Sequence, residues 1–256
     1  MSIENAFMLF ASGVLAGGLN ALAGGGGFIT LPALMYTGLT PVQANINGTL
    51  SVWPGLLASL FAYRRSLTGR RHPLKLLVTL ACCGGLVGAA LLLVSTNTFF
   101  LALLPWLLLF ATLLFIWGPR LTARLVLLRG GDGLARPFPA RLGYLLIFTI
   151  AIYGGYFGGG MGIMTLAVLS LIGMEDIHEM NALKTFLVVV INGVAVLIFI
   201  AAGQVAWTRC LVMSLGCVVG GYCAVRVIRS RSQRWVRGLI TVIASGMTLY
   251  FFLRSP

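Results

Sequence analysis

Charged residues interrupt this chain so rarely that its plan can be read from their spacing. None lies between Glu4 and Arg64, between Lys75 and Arg120, or between Arg141 and Glu175. An apolar run of about 18 residues or more is long enough to cross a bilayer as a helix. The runs give eight segments, near 6–38, 41–63, 74–94, 98–118, 143–173, 180–203, 209–228 and 236–253. The expected fold class is an all-α integral membrane protein, multi-pass, in a bacterial-type inner membrane. Two segments, 6–38 and 143–173, are long for one crossing, and glycines break them at Gly24–Gly27 and Gly158–Gly162. Each glycine costs a helix about 1 kcal/mol relative to Ala, so the breaks call for a reason.

Composition sharpens this. Of 256 residues, 59% are hydrophobic and 9% charged, where a soluble domain carries roughly a quarter charged. The net charge of +13 sits in short connections between apolar segments. That is the positive-inside pattern, not a nucleic-acid surface, and no nucleic-acid partner is expected. MSIENAF at the start has no basic region and no cleavage site leading into a polar chain, so no signal peptide is expected. The five cysteines, Cys82, Cys83, Cys210, Cys217 and Cys223, lie in apolar segments without metal-ligand spacing. They read as small packing residues, with a thiol relay through Cys82–Cys83 as the sharper alternative. No metal and no cofactor is expected.

The two halves resemble each other. Gly17-Gly18-Leu19, Gly25-Gly26-Gly27-Phe28-Ile29-Thr30-Leu31, Gly38 and Asn45…Thr49 follow in order in the first. Gly154-Gly155-Tyr156, Gly160-Met161-Gly162-Ile163-Met164-Thr165-Leu166, Gly173 and Asn181…Thr185 follow in the second, at offsets of 135 to 137. The chain divides into a first transmembrane repeat, 1–118, a cytoplasmic connection, 119–142, and a second repeat, 143–256. Arginine-rich connections at 64–75, 119–142 and 226–237 belong inside; uncharged 95–98 and 203–208 belong outside. Corresponding connections then fall on opposite faces, which is an inverted repeat. Parity requires 143–173 to cross an even number of times, as a re-entrant pair of half-helices folded at its glycines. By symmetry 6–38 does the same, and both termini lie outside.

Non-helical backbone at membrane depth survives only where protein buries it or a watery cavity meets it. A helix resuming after the break offers free N–H groups and a positive dipole end. Two such ends near the midplane would bind an anion without formal charge. The competing reading is that the glycines merely let helices pack closely.

The stretch AGGLNALAGGGGFITLPALMYTGLTPVQANINGT, answered by GGYFGGGMGIMTLAVLSLIGMEDIHEMNALKT, resembles the sulfite exporter TauE/SafE family of membrane transporters. The likeness covers the whole duplicated layout and is strongest at 13–63 and 154–192. The second half departs from it, with Ala167 where the first has Pro32 and a less complete glycine run. The resemblance implies transport of a small sulfur-containing anion or another small carboxylate.

Candidate substrate-binding residues are Gly25, Gly26, Gly27 and Thr30 at the first break, with Asn45, Asn47 and Thr49 after it. Gly160, Gly162 and Thr165 mark the second break, followed by Asn181, Lys184 and Thr185. Asn20 lies beside the first. Asn and Thr side chains can donate to oxyanion oxygens, although interhelical bonding is the usual role for each. Asn192 and Thr112 are assigned to that role. Lys184 is one of only two lysines; as an ionisable residue in an apolar run it marks a site. It would attract an anion, or pair with Glu175, Asp176 or Glu179, or snorkel. The acidic stretch GMEDIHEMN, 173–181, offers Asp176, His178 and Glu179 for proton coupling, or else acids capping the next helix.

The function expected is a secondary transporter moving a small anion, most readily a sulfur-containing one, by alternating access. A channel-like facilitator and a non-transporting assembly subunit are the alternatives. An intramembrane enzyme is not expected, because no HExxH or GxSxG motif occurs. Partners are the small anion and the bilayer, and a homo-oligomer is left open.

Overall fold

A computed structural model describes residues 1–23, 25–63, 73–130, 139–174, 176–227 and 233–254. All regular structure among them is helical. Ten helices follow in order: α1 Ile3–Ala23, α2 Gly27–Tyr36, α3 Pro41–Tyr63, α4 Leu74–Val94, α5 Asn97–Gly130, α6 Ala140–Tyr156, α7 Met161–Leu171, α8 Ile177–Ala201, α9 Trp207–Val227 and α10 Gln233–Arg254. Three stretches are long and apolar enough to cross a membrane on their own: Leu74–Val94, Asn97–Gly118 and His178–Ala201.

Local chemistry accounts for most boundaries. Pro41 opens α3 and has no N–H to leave unsatisfied there. α2 and α7 end alike. Gly38 (φ +89°) and Gly173 (φ +103°) follow them in the left-handed conformation, with Leu39 N–H returning to the Leu34 carbonyl and Met174 N–H to the Leu169 carbonyl. That is a glycine-closed helix end. One boundary differs from expectation. Helix α5 runs through Pro119 to Gly130, so half of the 119–142 connection is helix. RLTARLVLLR, 120–129, contains neither Gly nor Pro and favours helix throughout. The arginine-bearing connections 64–72, 131–138 and 228–232, on which the sidedness expectation rests, lie outside the described residues.

Helices pack in cross-half pairs. α1 lies chiefly on α9 and α4 on α6, while α3 meets α8 and α5 meets α10. Backbones touch where glycines face each other's main chain, and the register of those contacts gives direction. Gly13 abuts Met213, Gly17 abuts Cys217, and Gly220 abuts Val14, so α1 and α9 run parallel. Gly84 abuts Phe148 and Ala151, and Gly88 abuts Ile152 and Tyr156, so α4 and α6 run parallel too. Small residues are what allow so close an approach.

One end of the bundle is tied by hydrogen bonds. Val42 N–H donates to Asn97 Oδ1 (3.2 Å), Asn45 Nδ2 to the Tyr156 carbonyl (2.8 Å), and the Tyr156 and Ser95 hydroxyls lie 3.2 Å apart. The starts of α3 and α5 and the ends of α4 and α6 therefore share that end. Asn47 brings the α8–α9 turn there as well, donating to the Gln204 carbonyl (3.2 Å) and accepting from Ala206 N–H (2.7 Å). α7 runs the same way as α5, since Gly160 faces Ala111 and Leu114 while Ile163 faces Gly118. Thus α6 approaches this end and α7 turns back from it. In the first half α1 runs away from it, parallel to α9 and α3, and α2 returns to the corner at 37–40.

Candidate functional site

The first turns of α2 and α7 form the candidate site. At α2 the N-cap Gly26 supplies no side chain, and the Ile29 and Thr30 N–H groups already bond the Gly26 carbonyl. At α7 the N-cap Gly160 supplies none either, and Ile163 and Met164 N–H bond its carbonyl. Among the described residues nothing accepts from Gly27 N–H or Gly162 N–H. These two glycines correspond, 135 apart. Helix α8 is different, because the Asp176 side chain accepts from His178 N–H (2.7 Å) and Glu179 N–H (3.4 Å). A helix start without a cap leaves its partial positive charge exposed to whatever occupies the space beyond it.

Both uncapped starts rest on one stretch of α5. Phe28 packs edge-on against Phe115, ring centroids 5.6 Å apart. Gly160 faces Ala111 and Leu114, and Ile163 faces Gly118. The two dipole ends therefore sit within two turns of each other along α5.

The polar candidates divide by what they bond. Thr49 Oγ1 donates to the Asn45 carbonyl (3.0 Å) and Thr185 Oγ1 to the Asn181 carbonyl (2.7 Å), the same bond at corresponding positions. Thr165 Oγ1 donates to the Met161 carbonyl (2.8 Å). A hydroxyl bonded this way keeps two lone pairs, and must rotate off its own helix to donate to an anion. Thr30, 1% exposed, has no partner for its hydroxyl among the described residues; it stands over Gly48, whose Cβ, if present, would lie 2.8 Å from it. The Asn20 side chain lies against Gly26, beside the α2 start, also without a hydrogen bond.

Asn47 is not brought to the site. Fully buried, it donates to the Gln43 (2.7 Å) and Gln204 carbonyls and accepts from Ala206 N–H and Cys210 Sγ (2.9 Å). Its amide is spent as a clamp between α3 and the α8–α9 turn. Asn45, by contrast, ties the end of α6 through its amide N–H.

Lys184 Nζ donates to Asn181 Oδ1 (3.2 Å), and its Cδ lies 3.5 Å from where a Gly162 Cβ would stand. The lysine thus flanks an uncapped N–H. It forms no ion pair with Asp176 or Glu179; Glu175 lies outside the described residues. Asp176 is the cap of α8, the second of the two roles open to it from sequence, while His178 is exposed and Glu179 half-buried. Cys82 is half-buried and Cys83 exposed; Cys210 and Cys217 are buried in the α9 contacts with α3 and α1. Cys210 and Cys217 serve as packing residues, whereas Cys83 and Cys223 are exposed.

Sequence reasoning missed Tyr153. Its hydroxyl donates to the Gly159 carbonyl (2.6 Å), holding the tip of the second break. The first half has no aromatic at the matching position, Ala16, so nothing flagged it.

A family model described as "Sulfite exporter TauE/SafE" matches residues 9–251. The chain belongs to this family. It is 29% identical over 255 residues to a "Probable membrane transporter protein" of Haemophilus influenzae, covering 97% of this chain and 94% of that one. It is 26% identical over 242 residues to "Probable membrane transporter protein YfcA" of Escherichia coli K12, covering 94% and 87%. A Sinorhizobium protein, "Probable membrane transporter protein ORF9", is 26% identical over 243 residues, covering 94% and 90%. No solved structure matches the chain. This TauE/SafE protein is a multi-pass membrane protein of a transporter family, and its apolar helices fit that setting.

Proposed function

We propose that this TauE/SafE protein is a secondary transporter of a small oxyanion, with sulfite or a sulfonate as the substrate class. The observation that carries the reading is the pair of uncapped starts at α2 and α7, with Gly27 and Gly162 N–H groups that have no acceptor among the described residues, beside the same stretch of α5. In a water-poor interior such groups favour a negative charge. Lys184 adds a basic group at the α7 side and pairs with no carboxylate among the described residues.

The same reading takes the halves as inverted repeats, each opening with a glycine-broken re-entrant hairpin. Two hydrogen bonds support it, because residues on a two-fold axis touch their own counterparts. Trp53 Nε1 donates to the Val189 carbonyl (3.1 Å) and the Thr112 and Thr248 hydroxyls lie 3.2 Å apart, both pairs 136 residues apart. That is the repeat offset. The antiparallel course of α1 and α6, read from their partners, fits a two-fold in the membrane plane. Two halves rocking about a shared central site would give alternating access.

Uptake of sulfite, taurine, thiosulfate and acetate into proteoliposomes, with and without a pH gradient, tests the reading. Substrate-dependent counterflow of sulfite or taurine supports it, and no saturable flux of any of the four defeats it. Proton coupling, if carried by the 176–179 stretch, falls to Glu179 and His178, since Asp176 is engaged as a cap. Glu179→Gln should then stop gradient-driven accumulation while leaving exchange intact.

A further inference from the structure

Asn192 is a buried carboxamide in the middle of α8, 6% exposed, and it makes no hydrogen bond among the described residues. Buried amides are almost always partnered, because leaving them so is costly. Among the described residues, no side-chain nitrogen or oxygen is sealed in the interior without a partner. The little exposure Asn192 retains therefore lies on its amide, which faces space and not packed protein.

The helical wheel says which space. At 100° per residue, Asn181, Thr185 and Asn192 fall within about 40° of one another on α8. On one side of that stripe Ile191 packs against Gly85 and Gly154; on the other, Val189 and Gly193 meet Trp53. The stripe thus looks between α3 and the α6–α7 hairpin, where Lys184 flanks Gly162.

Depth follows from the crossing. α3 and α8 run antiparallel, and the Trp53–Val189 bond sets their register. Asn192 is three residues beyond Val189, about 4.5 Å toward the end where α3 starts; Thr49 is four before Trp53, about 6 Å toward the same end. The two stand level on adjacent helices. In the other half the residue level with Thr185 is Leu56, which is also the counterpart of Asn192 at the repeat offset of 136. Thus both helices carry a polar residue at the level of Thr49, and only α8 does at the level of Thr185.

We propose that Asn192 is a substrate-contacting residue, its amide donating to an oxygen of the bound oxyanion on the Thr49 side of the cradle. The inference rests on the anion-transport reading above and adds a donor which that reading does not contain. A carboxamide offers two N–H donors and no charge, suited to a sulfite or sulfonate group, whose third oxygen is left over after the two helix starts are engaged.

Two measurements test it. In a cysteine-free background, Asn192→Cys should react with a small charged methanethiosulfonate reagent, and sulfite should slow the reaction. Asn192→Leu, the residue of the first half, should raise the half-saturating sulfite concentration in proteoliposomes about ten-fold, with an unchanged melting temperature because no protein hydrogen bond is lost. An unreactive cysteine would overturn the proposal, as would wild-type affinity in Asn192→Leu or a melting temperature lowered by several degrees. Gly27→Val, run in parallel, separates the two ideas. If it is inactive while Asn192→Leu is normal, only the Asn192 contact is wrong; if it transports normally, the cradle fails and the contact with it.

Discussion

The two glycine breaks are built on different backbones. In the first, Gly26 has φ −58°, an ordinary right-handed value, and a Cβ on Gly27 would meet nothing within 4 Å. In the second, Gly158 (φ +83°) and Gly160 (φ +78°) are left-handed, and a Gly162 Cβ would meet the Lys184 stem at 3.5 Å. The second break needs glycine because of its conformation. At Gly27 neither conformation nor packing demands it; what the glycine leaves there is room beside an N–H with no acceptor among the described residues.

Substitutions can break this comparison. Gly160→Val should have the largest effect, since a branched side chain in a left-handed conformation is strained by about 1–3 kcal/mol. Lost transport together with a lowered melting temperature is the expected result, and a stable, active variant would refute the conformational requirement. Gly27→Val should separate the two properties. We expect the melting temperature to hold and transport to fall by two orders of magnitude or more, because the methyls fill the space before the N–H; normal uptake would make the first break a packing device.

Lys184→Met should weaken apparent affinity about ten-fold or more, and the loss should shrink as ionic strength rises if water reaches the site. Uptake titrations at low and high salt read both. Thr49→Ala and Thr185→Ala should cost less, about 0.5–1.5 kcal/mol each, or two- to ten-fold in half-saturating concentration, and similar values at the two sites would support the two-fold relation. Asp176→Asn should be the quietest, since Asn caps nearly as well as Asp. A large loss of gradient-driven accumulation in that variant would restore Asp176 as a proton carrier and count against the capping role.

Much of the fold was legible because charge is forbidden in the apolar phase. The ends of α3 at 41 and 63 and of α4 at 74 and 94 fall where the apolar runs end. The overrun of α5 to Gly130 was not legible as helix, because charge marks where a segment leaves the membrane and not where its helix stops. At the site, the glycines and Lys184 were readable from type and spacing. The fate of each amide was not. Asn45, Asn47 and Asn192 look alike in sequence, yet one ties α6, one is locked as a clamp, and one is left unpartnered.

The sequence by itself determined that this is a polytopic helical membrane protein of the TauE/SafE family, with glycine runs at corresponding places in its two halves. Those properties follow from composition and spacing, which act locally: an apolar run partitions into lipid, and a glycine run weakens a helix, whatever surrounds them. Tertiary structure decided that α1 lies on α9 and α4 on α6, that both uncapped starts share one stretch of α5, and which polar side chains are already spent. A hydrogen bond is satisfied only by a partner at about 3 Å, and distances between residues far apart in the chain are fixed by packing alone.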